Sequence, residues 1–190
     1  MTRTLQTLLA TTLVLFAFNS AQADSYSDTR TVFMNAGESA AYFSTAYGYA
    51  LFPTIGKGGV GIGGAHGSGR VYVGGNHVGD TKMTQLTYGL QLGGQAYSQV
   101  IFFQDKRAFE EFTSGNFEFG AQATAVAITA SAGAQANTGG GTQTSVAGGK
   151  NDASTASLGY RKGMAIFTVA KGGLMYEATL GGQKYKYTPI

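Results

Sequence analysis

The chain has 190 residues, enough for one domain with a sizeable core, and its 13 basic against 10 acidic residues leave a net charge of only +3, which argues against a nucleic-acid partner. Cysteine is absent, which removes disulfides, thiolate metal sites and a lipid-modified N-terminal cysteine, and the two histidines, His66 and His77, stand in no metal-ligand spacing. The 30 glycines, 2 prolines, 12 Phe and 11 Tyr point to a β-rich body with close turns and an aromatic core rather than to a helical bundle.

The N-terminal stretch carries Arg3, an apolar run from Leu8 to Phe18 and the small-residue end Ala21-Gln22-Ala23. Residues 1–23 read as a secretory signal peptide cleaved after Ala23, since a membrane-spanning helix needs about 20 apolar residues. The expectation is therefore an exported protein, periplasmic or secreted, able to sit peripherally on a membrane. Residues 24–36 are polar and mixed and read as a flexible lead-in. The rest, 37–190, reads as a single domain.

From Glu38 to Phe52 the apolar positions Ala40, Ala41, Phe43, Ala46, Tyr47, Ala50 and Leu51 recur at helical spacing, which predicts an N-terminal helix ended by Pro53. The glycine ladder that follows, Gly56, Gly58, Gly59, Gly61, Gly63 and Gly64 around Lys57, leaves the backbone open to close approach by a strand or a phosphate. Close strand packing is the favoured reading. Beyond it the period is two: Val71 and Val73 oppose Arg70 and Tyr72, and Leu86, Tyr88, Leu90 and Leu92 oppose Gln85, Thr87, Gly89 and Gln91. Val100-Ile101-Phe102-Phe103 does not alternate, as suits a central strand covered on both faces. Asp105 is placed to cap a short internal helix with Ala108, Phe109 and Phe112 facing inward, stopped at Gly115.

Residues 117–135 fit either helix or strand and are read as strand. A Gly/Ser/Thr-rich stretch, 136–154, reads as a mobile loop. Strands are expected at 156–160, 164–170, 174–180 and 183–187, forming a meander with turns at Lys171-Gly172-Gly173 and Gly181-Gly182. A short internal echo, Ala50-Leu51-Phe52 with Lys57-Gly58-Gly59 against Ala165-Ile166-Phe167 with Lys171-Gly172-Gly173, is read as chance similarity. The fold class expected is β-rich α+β, a mostly antiparallel sheet or barrel-like core with one N-terminal helix and one short internal helix.

Ala50-Leu51-Phe52-Pro53 followed by Lys57 and Gly61-Ile62-Gly63-Gly64 resembles the opening motif of the SYLF family of lipid-binding domains. Later blocks agree in order: Tyr88 to Gln95, Val100 to Phe103, Lys106 to Phe112, Phe119 to Ala127, and Tyr160-Arg161-Lys162-Gly163-Met164. The likeness covers roughly 40–190, and an ordered series of blocks is more specific than any one glycine motif. It implies a β-rich domain that binds phospholipids, phosphoinositides in eukaryotic members, and also actin filaments in fungal ones. An exported chain would not meet actin or cytoplasmic phosphoinositides, so neither is expected here.

Gly56-Lys57-Gly58-Gly59-Val60-Gly61 fits a G-x-G-x-x-G spelling, but a dinucleotide site needs a strand before and a helix after, the reverse of the order expected here. Neither a G-x-S-x-G elbow nor a base for a nucleophile is evident, and Glu110-Glu111 read as a solvated helix face. No catalytic residue, metal ligand or cofactor is expected. Membrane adhesion asks for cationic groups beside apolar ones, and the candidates are Lys57 with Phe52 and Ile55, and Arg161 with Lys162. The Lys184-Tyr185-Lys186-Tyr187 strand reads instead as a lysine-protected sheet edge. The functional expectation is a non-enzymatic phospholipid-binding envelope protein that adsorbs reversibly to anionic head groups, the alternative being a protein-interaction or structural module with an envelope protein as its partner.

Overall fold

From Gly48 onward alternation between two packed faces, rather than a single helical stripe, governs the chain. The computed structural model describes residues 25–89, 94–120, 126–128, 159–171 and 180–190. Within them lie strands β1 Gly48–Val73, β2 Asn76–Gly89, β3 Gln95–Phe103, β4 Phe117–Glu118, β5 Val126–Ile128, β6 Met164–Lys171 and β7 Gln183–Pro189. They form one 7-stranded sheet in the order β4-β7-β2-β1-β3-β6-β5. The pairing is antiparallel except between β5 and β6. The expected β-rich, mostly antiparallel class is the one observed.

The 26-residue β1 doubles back on itself. Its first half pairs with β3, from Gly48 opposite Phe103 to Lys57 opposite Gln95, and its second half pairs with β2, from Gly61 opposite Gly89 to Val73 opposite Asn76. A side chain at Gly48 would meet the Tyr72 carbonyl oxygen, and one at Gly67 would meet Ile55, so the two arms lie backbone to backbone. Within the ladder itself the close-packing reading holds only in part: a side chain at Gly59 would meet the Gly63 backbone and one at Gly64 the Gln85 carbonyl oxygen at 3.3 Å, whereas Gly56 and Gly58 face open space.

The sheet curls. On a flat sheet β3 and β7 would stand at least about 14 Å apart, yet the Gln99 side-chain amide of β3 donates to the Tyr185 hydroxyl of β7 at 2.7 Å. The inner face encloses a core that includes Phe52, Ile55, Met83, Ile101, Phe103, Ile166 and Tyr185, closed at one end by the short helix Lys106–Phe112 through Ala108 and Phe112. That helix is capped as expected, Asp105 Oδ1 accepting from the Ala108 amide at 2.8 Å. A second core lies outside the curl on β1, β3 and β6, where Tyr49, Leu51, Val100, Phe102, Phe167 and Val169 pack under the N-terminal helices. Strand β3 is covered on both faces, as its unbroken apolar run implies.

Three expectations are corrected. Residues 25–35 are helical (α1) rather than a flexible lead-in, because Phe33 is fully buried in the outer core. In place of one helix over 38–52 there are two short turns, α2 Gly37–Ala40 and α3 Tyr42–Thr45, and strand begins at Gly48; the alanine-rich spacing imitates a helix, but Ala50 and Phe52 face the inner core while Leu51 faces the outer one. Pro53 therefore ends no helix. It sits within β1 where the register shifts between Phe52 and Ile55, a bulge that tolerates a missing amide hydrogen, and its carbonyl accepts from Ser98 Oγ at 2.7 Å. The internal helix, Lys106–Phe112, is α4. The expected C-terminal meander is also not formed, since β6 pairs with β3 and β5 whereas β7 pairs with β2 and β4.

Strand is present at Phe117–Glu118 and Val126–Ile128 within the stretch read as strand. The signal peptide, the 136–154 loop, most of the 156–160 and 174–180 strands and the Gly172-Gly173 turn lie outside the described residues.

A cationic outer face and its apolar end

Alternation assigns residues of the β1–β2–β7 half to one side of the curl or the other. Ala65, Gly67, Gly69 and Val71 of β1, Thr81, Met83 and Gln85 of β2, and Gln183 and Tyr185 of β7 are buried inside; Ile62, His66 and Ser68, then Lys82, Thr84 and Leu86, then Lys184 and Lys186 are exposed outside. The register sets these outer residues in rows. His66 lies opposite Thr84, and Thr84 opposite Lys184; Ser68 lies opposite Lys82, and Lys82 opposite Lys186.

Lys82 and Lys186 are like charges directly across a strand pair, an arrangement that is destabilising unless something neutralises it. Among the described residues no carboxylate lies within ion-pair distance of either. The nearby acids are engaged elsewhere. Glu118 Oε2 is 3.5 Å from Lys184 Nζ, and Asp80 Oδ1 accepts from His77 Nε2 at 3.0 Å and faces Arg70 across the ladder. Arg70 is held in turn, its guanidinium 4.3 Å above the Tyr26 ring of α1. Three lysine head groups with the Ser68 and Thr84 hydroxyls beside them leave a net positive face suited to an anion.

Two rows above the lysines the same face turns apolar. Ile62 and Leu86 are 67% and 71% exposed. Leu86 stands opposite Gly64 and Ile62 opposite Tyr88, so the two side chains are diagonal neighbours within reach of one another. The sequence sets Leu86 and Gln85 on opposite faces of a strand; the structure buries Gln85 and leaves Leu86 exposed. Gln85, 5% exposed, joins a buried polar group inside the curl in which Gln85 donates to the Gly181 carbonyl at 2.8 Å and Gln183 donates to the Tyr97 hydroxyl at 3.1 Å.

The residues singled out from sequence do not assemble. Phe52 and Ile55 are 0% exposed in the inner core and offer nothing to a surface. Lys57, half-buried, stands opposite Gln95 at one end of the sheet, where Lys171 donates to Thr54 Oγ1 at 2.8 Å. Arg161 and Lys162 are exposed at the tight turn leading into β6, whose first residue Met164 pairs with Phe103. Gln95 to Phe103 is roughly 26 Å of strand, so Lys57 and the Arg161-Lys162 pair occupy opposite ends. Their apolar neighbours Tyr160 and Met164 pack inward. The internal echo ends similarly: Phe52 belongs to the inner core and Phe167 to the outer one, so matching residues do not occupy matching places.

Lys82, Ile62 and His66 were missed by sequence reasoning. The available signal was the alternation Lys82-Thr84-Leu86 against Thr81-Met83-Gln85, which marks one face but not which side is solvent.

The curled sheet thus presents an exposed cationic face with an apolar end, a surface of the kind that binds rather than encloses a ligand. A family model described as Ysc84, Las17-binding protein actin regulator, matches residues 84–186. That is more than half the chain, and the chain belongs to this family, the SYLF family that its sequence blocks resemble. It is a family of binding domains and not a known enzyme family. The match takes in Leu86, Lys184 and Lys186 and begins after Ile62, His66 and Lys82. The chain is also similar to Beta cell expansion factor A of Aeromonas veronii, 30% identical over 94 residues, which are 50% of this chain and 28% of that protein. The chain thus spans little more than a quarter of that relative's length. Among the described residues no helix is long and apolar enough to cross a membrane.

Proposed function

We propose that this chain is a non-enzymatic, exported phospholipid-binding module of the cell envelope, adsorbing reversibly to anionic head groups through the outer face of β1, β2 and β7. The observation that carries this reading is the Lys82–Lys186 pair, uncompensated among the described residues, with Lys184 beside it and exposed Ile62 and Leu86 on the same face. Each basic residue near an anionic surface contributes about 1 kcal/mol, and partial burial of two aliphatic side chains adds a term that salt does not screen. The sum is a weak, reversible attachment whose electrostatic part falls with ionic strength, because exposed charges are screened beyond about 8 Å at physiological salt.

Flotation with phosphatidylglycerol-containing and purely phosphatidylcholine liposomes, at low and high salt, tests it. The protein is expected to float with the anionic vesicles at low salt and to be largely released at high salt. Equal flotation on both lipids removes the electrostatic account.

One observation favours a second reading, a protein-interaction module. Among the described residues strand β7 is paired on its outer side only at Tyr185 and Lys184 by β4, and an edge left open there is a template onto which a partner's strand can add. An envelope protein bound there would stay bound after detergent extraction, whereas a lipid-mediated association would be lost.

A further inference from the structure

We infer that adsorption is coupled to proton uptake, with His66 the group that takes the proton; this rests on the membrane-binding reading and adds pH as its regulator. His66 stands on β1 at the side of this face, in the row between those of Lys82 and Leu86. Thr84 is directly opposite, and by the same register Lys82 lies diagonally to one side and Leu86 diagonally to the other. A surface that touches Lys82, Leu86 and Ile62 together passes over Thr84 and lies against His66 beside it.

The imidazole is exposed and, among the described residues, makes no hydrogen bond or ion pair. The charged and titratable groups around it are Lys82 of β2, Lys184 and Lys186 of β7, Arg70 further along β1 and Tyr26 of α1, whose hydroxyl donates to the Ser68 carbonyl at 3.4 Å, with Glu118 of β4 held by Lys184 and Asp80 further along β2 held by His77. Among the described residues no carboxylate is placed to accept from a protonated His66. An anionic head group brought onto the face supplies that acceptor. Binding then favours protonation, and protonation favours binding to the same degree, because the coupling between two ligands on one molecule is reciprocal. Histidine is the side chain whose charge ordinarily changes between pH 5 and 8. His77 is a natural control, since its Nε2–H already donates to Asp80 and to the Gly79 carbonyl.

The test is vesicle binding by the full chain at pH 5.5 and 7.5, on phosphatidylglycerol/phosphatidylcholine vesicles, whose charge is constant over that range, and on phosphatidylcholine alone. Affinity for the anionic vesicles is expected to be about fivefold higher at pH 5.5, the equivalent of about 1 kcal/mol for one added basic charge. His66→Gln is expected to abolish that gain, His66→Arg to give tight binding at both pH values, and His77→Gln to keep the gain. The inference is overturned if the wild type binds equally at both pH values, or if His66→Gln keeps the gain. Absence of any preference for anionic vesicles at either pH is a different result, and it overturns the membrane reading itself.

Discussion

A methyl group at Gly69 would meet two carbons of the Phe52 ring at 2.6 Å and the Leu51 carbonyl oxygen at 2.9 Å. The ring lies over the glycine of the neighbouring arm, so Gly69→Ala is expected to lower unfolding stability by about 1–3 kcal/mol, as overpacking does, read from urea denaturation. The buried polar group is equally exacting. Tyr185 accepts from Gln99 Nε2 and donates to Gln183 Oε1, and Tyr185→Phe leaves both amides short, at a cost of about 1–3 kcal/mol. Burial holds the hydroxyls of Tyr97 and Tyr185 protonated well above the ordinary tyrosine value of 10.0. In the unfolded chain they ionise near that value, so above it the unfolded state binds fewer protons than the folded one, and stability falls as pH rises. The urea midpoint is expected to be flat up to about pH 9.5 and to drop through pH 11, less steeply in Tyr97→Phe.

At the scale of elements, α1 is a structural part of the domain. Phe33 is fully buried in the outer core, Tyr26 stacks under Arg70, and Arg30 lies 5.7 Å from the Phe43 ring centre. Phe33→Ala is expected to cost about 3–5 kcal/mol and to make residues 25–35 cleavable in limited proteolysis, whereas a lead-in segment would tolerate it. The sequence showed α4 and its Asp105 cap, the doubly covered β3 and the strand character of β2, because caps and periodicity are local properties. It misled where the answer depended on distant partners. The alanine spacing of 38–52 fits a helix as well as a bent strand, and only packing against β3 decides. Alternation put Gln85 and Leu86 on opposite faces, but not which face is the core, because polarity alone cannot reveal that Gly181 and Gln183 wait inside to bond the amide. The candidate face was illegible for the same reason, since Lys82 and Lys186 are remote in sequence and meet only through the β2–β7 register.

Over the whole molecule, one half of the sheet's outer side is buried under α1 to α3 and the other is exposed, cationic at its middle and apolar at one end. The site anticipated from sequence is not assembled, and the face proposed in its place uses different residues. Lys57, Phe52 and Ile55 are parted by burial, and Arg161 and Lys162 lie at the far end of the sheet from Lys57. Replacing Ile62 and Leu86 together by Ser is expected to reduce the salt-resistant part of vesicle binding while leaving unfolding stability within about 0.5 kcal/mol, since both are exposed. The most direct measurement compares two charge reversals on phosphatidylglycerol vesicles, Lys82→Glu with Lys186→Glu in one variant and Arg161→Glu with Lys162→Glu in the other. If the outer face of β2 and β7 is the binding surface, the first variant loses most of its binding and the second keeps it. Retention by the first and loss by the second would contradict the account.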